Sequence, residues 1–289
     1  MKKIAIIGAT GKIGFPVTRE FIHSNYEVTI LSRDPSKAKK MFGQSVKIVE
    51  GDLENPGSLK QLLEGQHWLY INLSVAQTSK ATEFQPEREG IANILKVAKE
   101  ENIQRIGYLS SLVQRYHGME GFSWWGLEIR QQAIHAIKNS DIPYSIFYPS
   151  NFMENFDEGD FIVGNRILLI GKSLYPYYWI AGSDYGKQVI NAFEKDEGNT
   201  EYVIQGPEAL SAEEAGKVFA HHYKGRKLSL LKIPFWILKV AGMFSSKANY
   251  GTNIIYALNH YPEKYEAAET WLKLGKPETT LSLYAANAS

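Results

Sequence analysis

The sequence KIAIIGATGKIG, residues 3–14, decides the fold of this chain. Residues 4–7 form a short apolar run, which is typical of a strand buried on both faces. Gly8, Gly11 and Gly14 follow at three-residue spacing, and apolar residues at helical spacing come next. This order directs backbone N–H groups and a helix N-terminus toward an anion, usually a pyrophosphate. It predicts a nucleotide-binding turn; the alternative is a tight turn without a ligand.

Strands and helices alternate along the first half of the chain. Stretches with helical periodicity separate the first apolar run from five more, at 27–31, 46–50, 68–73, 105–109 and 144–148. Parallel strands need such crossover helices, so the pattern predicts an α/β fold with a doubly wound parallel sheet. Ligands of such sheets bind beyond the carboxyl ends of the strands.

After residue 151 the alternation weakens. Ser211 and Glu214 have the spacing of a capping box. The other predicted elements are a strand pair or short helix at 160–170, a helix at 184–195, a strand at 202–205, and helices near 234–245, 251–259 and 265–272. We therefore expect a dinucleotide-binding core of residues 1–155, with 184–206 packing onto it. A smaller, mostly helical lobe on the substrate side would comprise 156–183 and 207–289.

The composition of the chain limits the partners and the chemistry that can be expected. The net charge of +1 favours neither nucleic acid nor an acidic membrane as a partner, and no apolar stretch approaches the length of a membrane span. The absence of cysteine excludes disulfides and thiolate chemistry and fits a cytoplasmic location. The adjacent His221 and His222 would point to different helix faces, so no metal site is expected. The expected partner is a small molecule, bound by a monomer or homodimer.

Several segments together resemble a known family. They are GATGKIG in the turn, GDLENP, IGYLSS and YPSNFMENF at strand ends, and WIAGSDYGKQV, GPEALSAEEA and WLKLGKPETTL later in the chain. These look like the NmrA-like group of atypical short-chain dehydrogenases. The resemblance implies an NAD(P)-binding Rossmann fold of the extended type. The family includes quinone and azo-compound reductases, and redox-sensing regulators that bind the nucleotide without turning it over.

The end of the second strand bears on the choice between NAD and NADP. An acidic residue there would accept from the ribose hydroxyls and repel a 2′-phosphate. Ser32 and Arg33 stand there instead, and a guanidinium can hold the phosphate and stack on adenine. NADP(H) is therefore favoured. NAD(H) stays possible because Asp34 follows directly, and Lys37 is either a second phosphate contact or a solvated side chain.

The other expected cofactor contacts lie in the turn and at strand ends. Thr10 would cap the helix or contact phosphate. The resemblance places Asp52 against the adenine amino group, although a turn aspartate is the alternative. The complete set is Gly8, Thr10, Gly11, Lys12, Ile13, Gly14, Ser32, Arg33, Asp52, Leu73, Ser74, Ser110, Arg130, Pro149, Asn151 and Phe152.

The catalytic apparatus departs from the pattern of typical short-chain dehydrogenases. Those enzymes use a Ser, and a Tyr and Lys four residues apart on the helix after the fifth strand. Gly126 and Arg130 occupy the two helix positions here, and arginine stays charged and cannot act as a general acid. The catalytic residues are unknown, with Ser110, Tyr116 and Arg130 as candidates. Ser111 is an alternative serine, and His117 an alternative proton donor.

Aromatic residues stand near the same region. Trp124 and Trp125 precede the helix, and they either line an aromatic substrate pocket opposite Phe152 and Met153 or simply pack under a loop. The favoured hypothesis is an NADPH-dependent reductase of a quinone-like or other small aromatic acceptor. The alternative is a non-catalytic NADP(H)-sensing protein. A nucleotide-sugar epimerase ranks last, because it needs the missing tyrosine.

Overall fold

A computed structural model describes residues 2–157, 161–196 and 198–288. Its strands are β1 (Lys3–Ile7), β2 (Glu27–Ser32), β3 (Lys47–Glu50), β4 (Trp68–Ile71), β5 (Arg105–Leu109), β6 (Tyr144–Pro149), β7 (Ile162–Val163), β8 (Arg166–Ile170), β9 (Tyr177–Trp179), β10 (Thr200–Ile204), β11 (Glu208–Leu210) and β12 (Ser229–Ile233). Its α-helices are α1 (Gly14–His23), α2 (Pro35–Phe42), α3 (Pro56–Leu63), α4 (Ile91–Glu100), α5 (Trp125–Lys138), α6 (Glu154–Asp157), α7 (Gly182–Lys195), α8 (Ala212–His222), α9 (Phe235–Gly242), α10 (Ser246–His260), α11 (Ala268–Leu274) and α12 (Leu281–Asn287). A π-helical turn (Pro86–Gly90) precedes α4, and 3₁₀ turns follow β5 at Leu112–Tyr116 and Met119–Gly121.

The main sheet of the described residues has seven strands in the order β3-β2-β1-β4-β5-β6-β10. Every neighbouring pair in it is parallel. The predicted doubly wound parallel sheet is therefore confirmed. The chain order reverses between β1 and β4, which opens a crevice beyond the carboxyl ends of these strands.

The strand β1 is buried on both faces because alternate residues enter different cores. Ile4 and Ile6 pack in the cluster that includes Phe21 of α1 and Phe193 of α7. Ala5 and Ile7 pack on the opposite face, in the cluster built from α3, α4 and α5. This two-sided burial explains the unbroken apolar run, since neither face of the strand meets water.

The second half of the chain contains more strand than the sequence predicted. The strand pair expected at 160–170 is present as β7 and β8, while Asp160 lies outside the described residues. The sequence missed α6, β9, β11, β12 and α12. The strand β12 pairs parallel to β8, and β11 pairs with β9, so two small sheets accompany the helices there. The predicted capping box at Ser211 and Glu214 is confirmed.

Segments far apart along the chain complete the main sheet and its cover. The predicted strand near 202–205 is present as β10, at the edge beside β6. The helix α7 packs against α1, and Leu274 of α11 belongs to the same apolar cluster. The division of the chain into a core and a smaller lobe stays a prediction.

Candidate functional site

The glycine turn joins β1 to α1, and two of its three glycines are fixed by close packing. Gly8 has a φ of 83°, and a Cβ on it would lie 2.0 Å from the carbonyl oxygen of Asn72. A Cβ on Gly14 would lie 1.9 Å from the carbonyl oxygen of Gly8. A Cβ on Gly11 would meet only that same oxygen, at 3.2 Å, and otherwise enter open space. Gly11 therefore leaves room that the described residues do not fill.

The N-terminus of α1 is open to an anion. Its N-cap residue is Ile13, no side chain caps it, and its first turn carries no acidic residue. The expectation that Thr10 caps this helix is therefore wrong. The backbone N–H groups of Ile13 and Gly14 have no hydrogen-bond partner among the described residues, whereas that of Phe15 donates to the Gly11 carbonyl at 2.9 Å. Two free N–H groups at a helix start, beside the space at Gly11, fit a diphosphate group.

The ends of β2 and β3 carry the residues expected near the adenosine. Arg33 is exposed and has no hydrogen bond or ion pair with the described residues. Asp34 caps α2, with Oδ1 accepting from the Lys37 backbone N–H at 2.9 Å. Ser32 bonds locally, its hydroxyl donating to the Asp34 carbonyl at 2.9 Å. Asp52 Oδ1 accepts hydrogen bonds from the backbone N–H groups of residues 54 and 55. These bonds support the interpretation of Asp52 as a turn residue.

A cleft of about 650 Å³ lies beyond the carboxyl ends of β4, β5 and β6. Half of the sixteen expected cofactor residues line it: Ile13, Leu73, Ser74, Ser110, Arg130, Pro149, Asn151 and Phe152. The opposite wall comes from α9 and α10, including Leu238, Tyr250 and Ile254. Sequence reasoning missed this wall, because nothing in the pattern shows which lobe helices turn toward the sheet.

Arg130 is held in the cleft wall by a buried network. Its Nε and Nη2 donate to the two carboxylate oxygens of Glu87 at 2.9 and 3.2 Å, and Nη1 donates to Ser111 Oγ at 3.0 Å. The Tyr108 hydroxyl donates to the same carboxylate at 2.6 Å. Burial alone lowers the pKa of Arg130, but the facing Glu87 charge outweighs it and holds that pKa above its ordinary value. Arg130 is thus a fixed cation.

Glu87 is the main functional residue that sequence reasoning missed. It lies on the π-helical turn before α4, and its side chain is fully buried. Turns of this kind are often found at functional sites. No sequence signal connects Glu87 with Arg130, which stands 43 residues later.

The space of the absent tyrosine is filled by Trp124. A Cβ on Gly126 would lie 2.6 Å from the indole of Trp124. That indole is buried and packs edge-on against Tyr250 and next to Trp125. Neither tryptophan lines the cleft, and Met153 is fully buried elsewhere. Trp124, Trp125 and Met153 therefore pack in the interior, as the alternative interpretation predicted. Of the four residues expected to line an aromatic pocket, only Phe152 borders the cleft.

The other catalytic candidates differ in position. Ser110 borders the cleft, and its buried hydroxyl has no hydrogen-bond partner among the described residues. Tyr116 is fully buried outside the cleft lining, where its hydroxyl donates to Glu120 at 2.9 Å. Burial and this bond raise the pKa of Tyr116 to about 12. His117 accepts from the backbone N–H of Trp124 at 3.3 Å.

One carboxyl group in the cleft was not anticipated. Glu263 accepts from Ser150 Oγ at 2.9 Å and from Gln205 Nε2 at 2.8 Å, and burial raises its pKa above the ordinary value. These bonds connect the ends of β6 and β10 with the segment after α10. Among the described residues, no group of three His, Cys, Asp or Glu side chains is placed to hold a metal ion.

Comparison with known proteins places this geometry among nucleotide-dependent proteins. The sequence model of a family described as NAD(P)H-binding matches residues 8–172. The NAD(P)H azoreductase of Xenophilus azovorans is 24% identical over 98% of this chain and 96% of its own. The photosystem II assembly factor Ycf39 of Trieres chinensis is 22% identical over 87% of this chain and 78% of its own. The NADPH-dependent quinone oxidoreductase QOR2 of Escherichia coli, solved with NADPH, superimposes with a TM-score of 0.73 at 17% identity, over 98% of each chain.

Proposed function

Because the chain belongs to the NAD(P)H-binding family, we propose that it is an NADPH-dependent reductase of a quinone-like or other small aromatic acceptor. The carrying observation is the cleft of about 650 Å³, whose wall includes Ile13 at the start of α1. A dinucleotide whose diphosphate lies on the uncapped α1 terminus would extend from the glycine turn into this cleft. The volume of the cleft is in the range of small-molecule sites.

Three features of the chain fit the cofactor: the space at Gly11, the N–H groups at the start of α1, and the Arg33 side chain. The open space at Gly11 and the free N–H groups of Ile13 and Gly14 would hold the diphosphate. The unpartnered Arg33 guanidinium would bind the 2′-phosphate, while Asp34 is already engaged in capping α2. This favours NADPH over NADH. Bound there, the reduced nicotinamide supplies the hydride for the reaction.

The protein groups in the cleft suit an acceptor that needs little acid catalysis. Arg130 keeps its proton, and Glu87 holds its side chain in place. The guanidinium can therefore orient a bound acceptor and stabilise the negative charge that develops on it. Trp124 occupies the space in which a tyrosine acid would stand. A quinone accepts a hydride and then takes its proton from water, so it requires no acid from the chain. The Ser110 hydroxyl is free to donate a hydrogen bond to the acceptor or to the nicotinamide.

The test is oxidation of NADPH by purified protein with a panel of quinones, azo dyes and aldehydes. We expect turnover with quinones or azo dyes and none with aldehydes, since hydride addition to an aldehyde gives a strongly basic alkoxide that needs an acid beside it, whereas a quinone gives a stabilised phenolate. The variant Gly11→Val, which places a side chain in the diphosphate space, is the inactive control. Absence of turnover with every acceptor, although NADPH binds, would contradict the reductase function.

That outcome would favour the second candidate, an NADP(H)-sensing protein without turnover. Two observations at the cleft support this candidate: Trp124 fills the space beside Gly126, and Glu87 immobilises Arg130. The similarity to a protein named as an assembly factor supports it as well. It predicts different affinities for NADP⁺ and NADPH, measured by calorimetry. Equal affinities would contradict it. A cytoplasmic location and a monomer or homodimer remain predictions.

A further inference from the structure

The helix α9 and the two residues after it expose an unusually apolar surface. None of the α9 residues is buried, and Trp236 and Phe244 are 65% and 85% exposed. We call Trp236, Ile237, Val240, Met243 and Phe244 the α9 patch; all five are exposed. Contiguous exposed apolar side chains of this size mark an interaction surface, because single scattered ones are the rule elsewhere.

The chain around the α9 patch is cationic. Residues 215–262 contain seven Lys and Arg residues and no Asp or Glu, although the whole chain has a net charge of only +1. Lys232 is paired with Glu213, which precedes this segment. Lys239 and Lys247 are exposed and form no ion pair with the described residues. The small net charge, from which we expected no acidic membrane partner, therefore conceals a segment of the sequence with an excess of positive charge.

The α9 patch also adjoins the cleft. Leu238 lies on α9 between patch residues and borders the cleft, as do Lys247 and Ala248 at the start of α10. The two helices pack closely on each other. Whatever covers the patch would therefore lie beside the entrance to the cleft.

We propose that the α9 patch docks on a lipid bilayer surface that carries anionic headgroups. Exposed Trp and Phe with surrounding lysines are the composition of segments that lie in the membrane interface. A protein partner is less favoured, because interfaces between proteins are depleted in Lys. A second copy would bring the unpaired Lys239 and Lys247 of the two chains near each other, and like charges repel. No helix of the described residues is long and apolar enough to cross a bilayer, so the contact is peripheral.

The test is sedimentation of the full chain with vesicles, and it requires neither nucleotide nor turnover. We expect binding to phosphatidylglycerol–phosphatidylcholine vesicles, weakened by salt, and little binding to phosphatidylcholine alone. Lys239→Glu should weaken binding about fivefold or more, since each basic residue near an anionic surface contributes. The double variant Trp236→Ser, Phe244→Ser should weaken it about tenfold or more.

Matched controls are Leu272→Ser, which changes an 89% exposed leucine on α11, and Lys96→Glu on the exposed face of α4. Both should bind vesicles like the unchanged protein. The proposal is overturned if anionic vesicles are not bound, or if the patch variants bind as well as the controls. It is also overturned if the patch variants instead abolish a dimer seen by light scattering.

Discussion

Arg130 and Glu87 form a two-point ion pair, with Nε to Oε1 at 2.9 Å and Nη2 to Oε2 at 3.2 Å. The Glu87 side chain is fully buried and that of Arg130 is 14% exposed. The pair connects the π-helical turn before α4 with α5, directly at the cleft.

Glu87→Gln should therefore destabilise the fold strongly. Removing one partner of a buried ion pair leaves an uncompensated charge and costs about 3–5 kcal/mol. Urea denaturation measures the change. The control is Asp141→Asn, because Asp141 pairs with Lys99 at 3.3 Å with a side chain that is 92% exposed. That control should cost less than about 1 kcal/mol; equal losses in both variants would contradict the importance of the buried pair.

Gly126→Ala should be destabilising although alanine favours helices. The new Cβ would lie 2.6 Å from the buried indole of Trp124, and such overpacking costs about 1–3 kcal/mol. Adding Trp124→Phe should recover part of the loss. In Gly251→Ala on α10, where the Cβ meets nothing within 4 Å, stability should instead rise. Thermal unfolding separates these outcomes, and a neutral Gly126→Ala would show that Trp124 moves freely.

Gly11→Val should weaken nucleotide binding while leaving the fold intact. Its side chain would enter the space open at Gly11, which the proposed diphosphate occupies. We expect a loss of about tenfold or more in affinity, or 1.4 kcal/mol. Gly198→Val is the control, since a Cβ there meets nothing within 4 Å. Unchanged affinity of Gly11→Val, measured by fluorescence titration, would refute this placement of the diphosphate.

Arg33→Asp should shift the preference from NADPH toward NADH. The change removes a charge-assisted bond to the 2′-phosphate, worth about 1.5–3 kcal/mol, and adds repulsion. Arg226→Asp makes the same charge change at an exposed position between α8 and β12 and should not alter the preference. If Arg33→Asp keeps its NADPH affinity, Arg33 does not bind the 2′-phosphate.

Asp184→Asn should reduce stability at neutral pH but not in acid. Asp184 is buried, and its Oδ2 accepts from the N–H groups of Glu278 and Thr279 at 3.0 and 2.8 Å. Burial alone raises its pKa, but these bonds and Lys187 outweigh it and lower that pKa below its ordinary value. The carboxylate therefore stabilises the fold above the unfolded pKa, about 3.9, and this is lost as pH falls below it.

The measurement is the difference in unfolding free energy between the two proteins at several pH values. It should be about 1–3 kcal/mol at pH 7 and shrink toward pH 3. The control Asp141→Asn should stay within about 1 kcal/mol at both ends. A difference for Asp184→Asn that does not change with pH would contradict the assignment.

The sequence by itself determined the main sheet and the glycine turn. Both depend on local order: a buried strand must be apolar at every position, and close backbone approach requires glycine at Gly8 and Gly14. Helix starts with local side-chain caps, such as Ser211 with Glu214, could be predicted from the sequence equally well. These features involve residues only a few positions apart.

Only the tertiary structure decided what surrounds the site. It brought Glu87 to Arg130, filled the space at Gly126 with Trp124, and set α9 and α10 opposite the sheet. Each of these results depends on side chains packing across separate elements, which no local pattern encodes. The same holds for the α9 patch, because the sequence predicts a helix near 234–245 and does not show which of its apolar residues stay exposed.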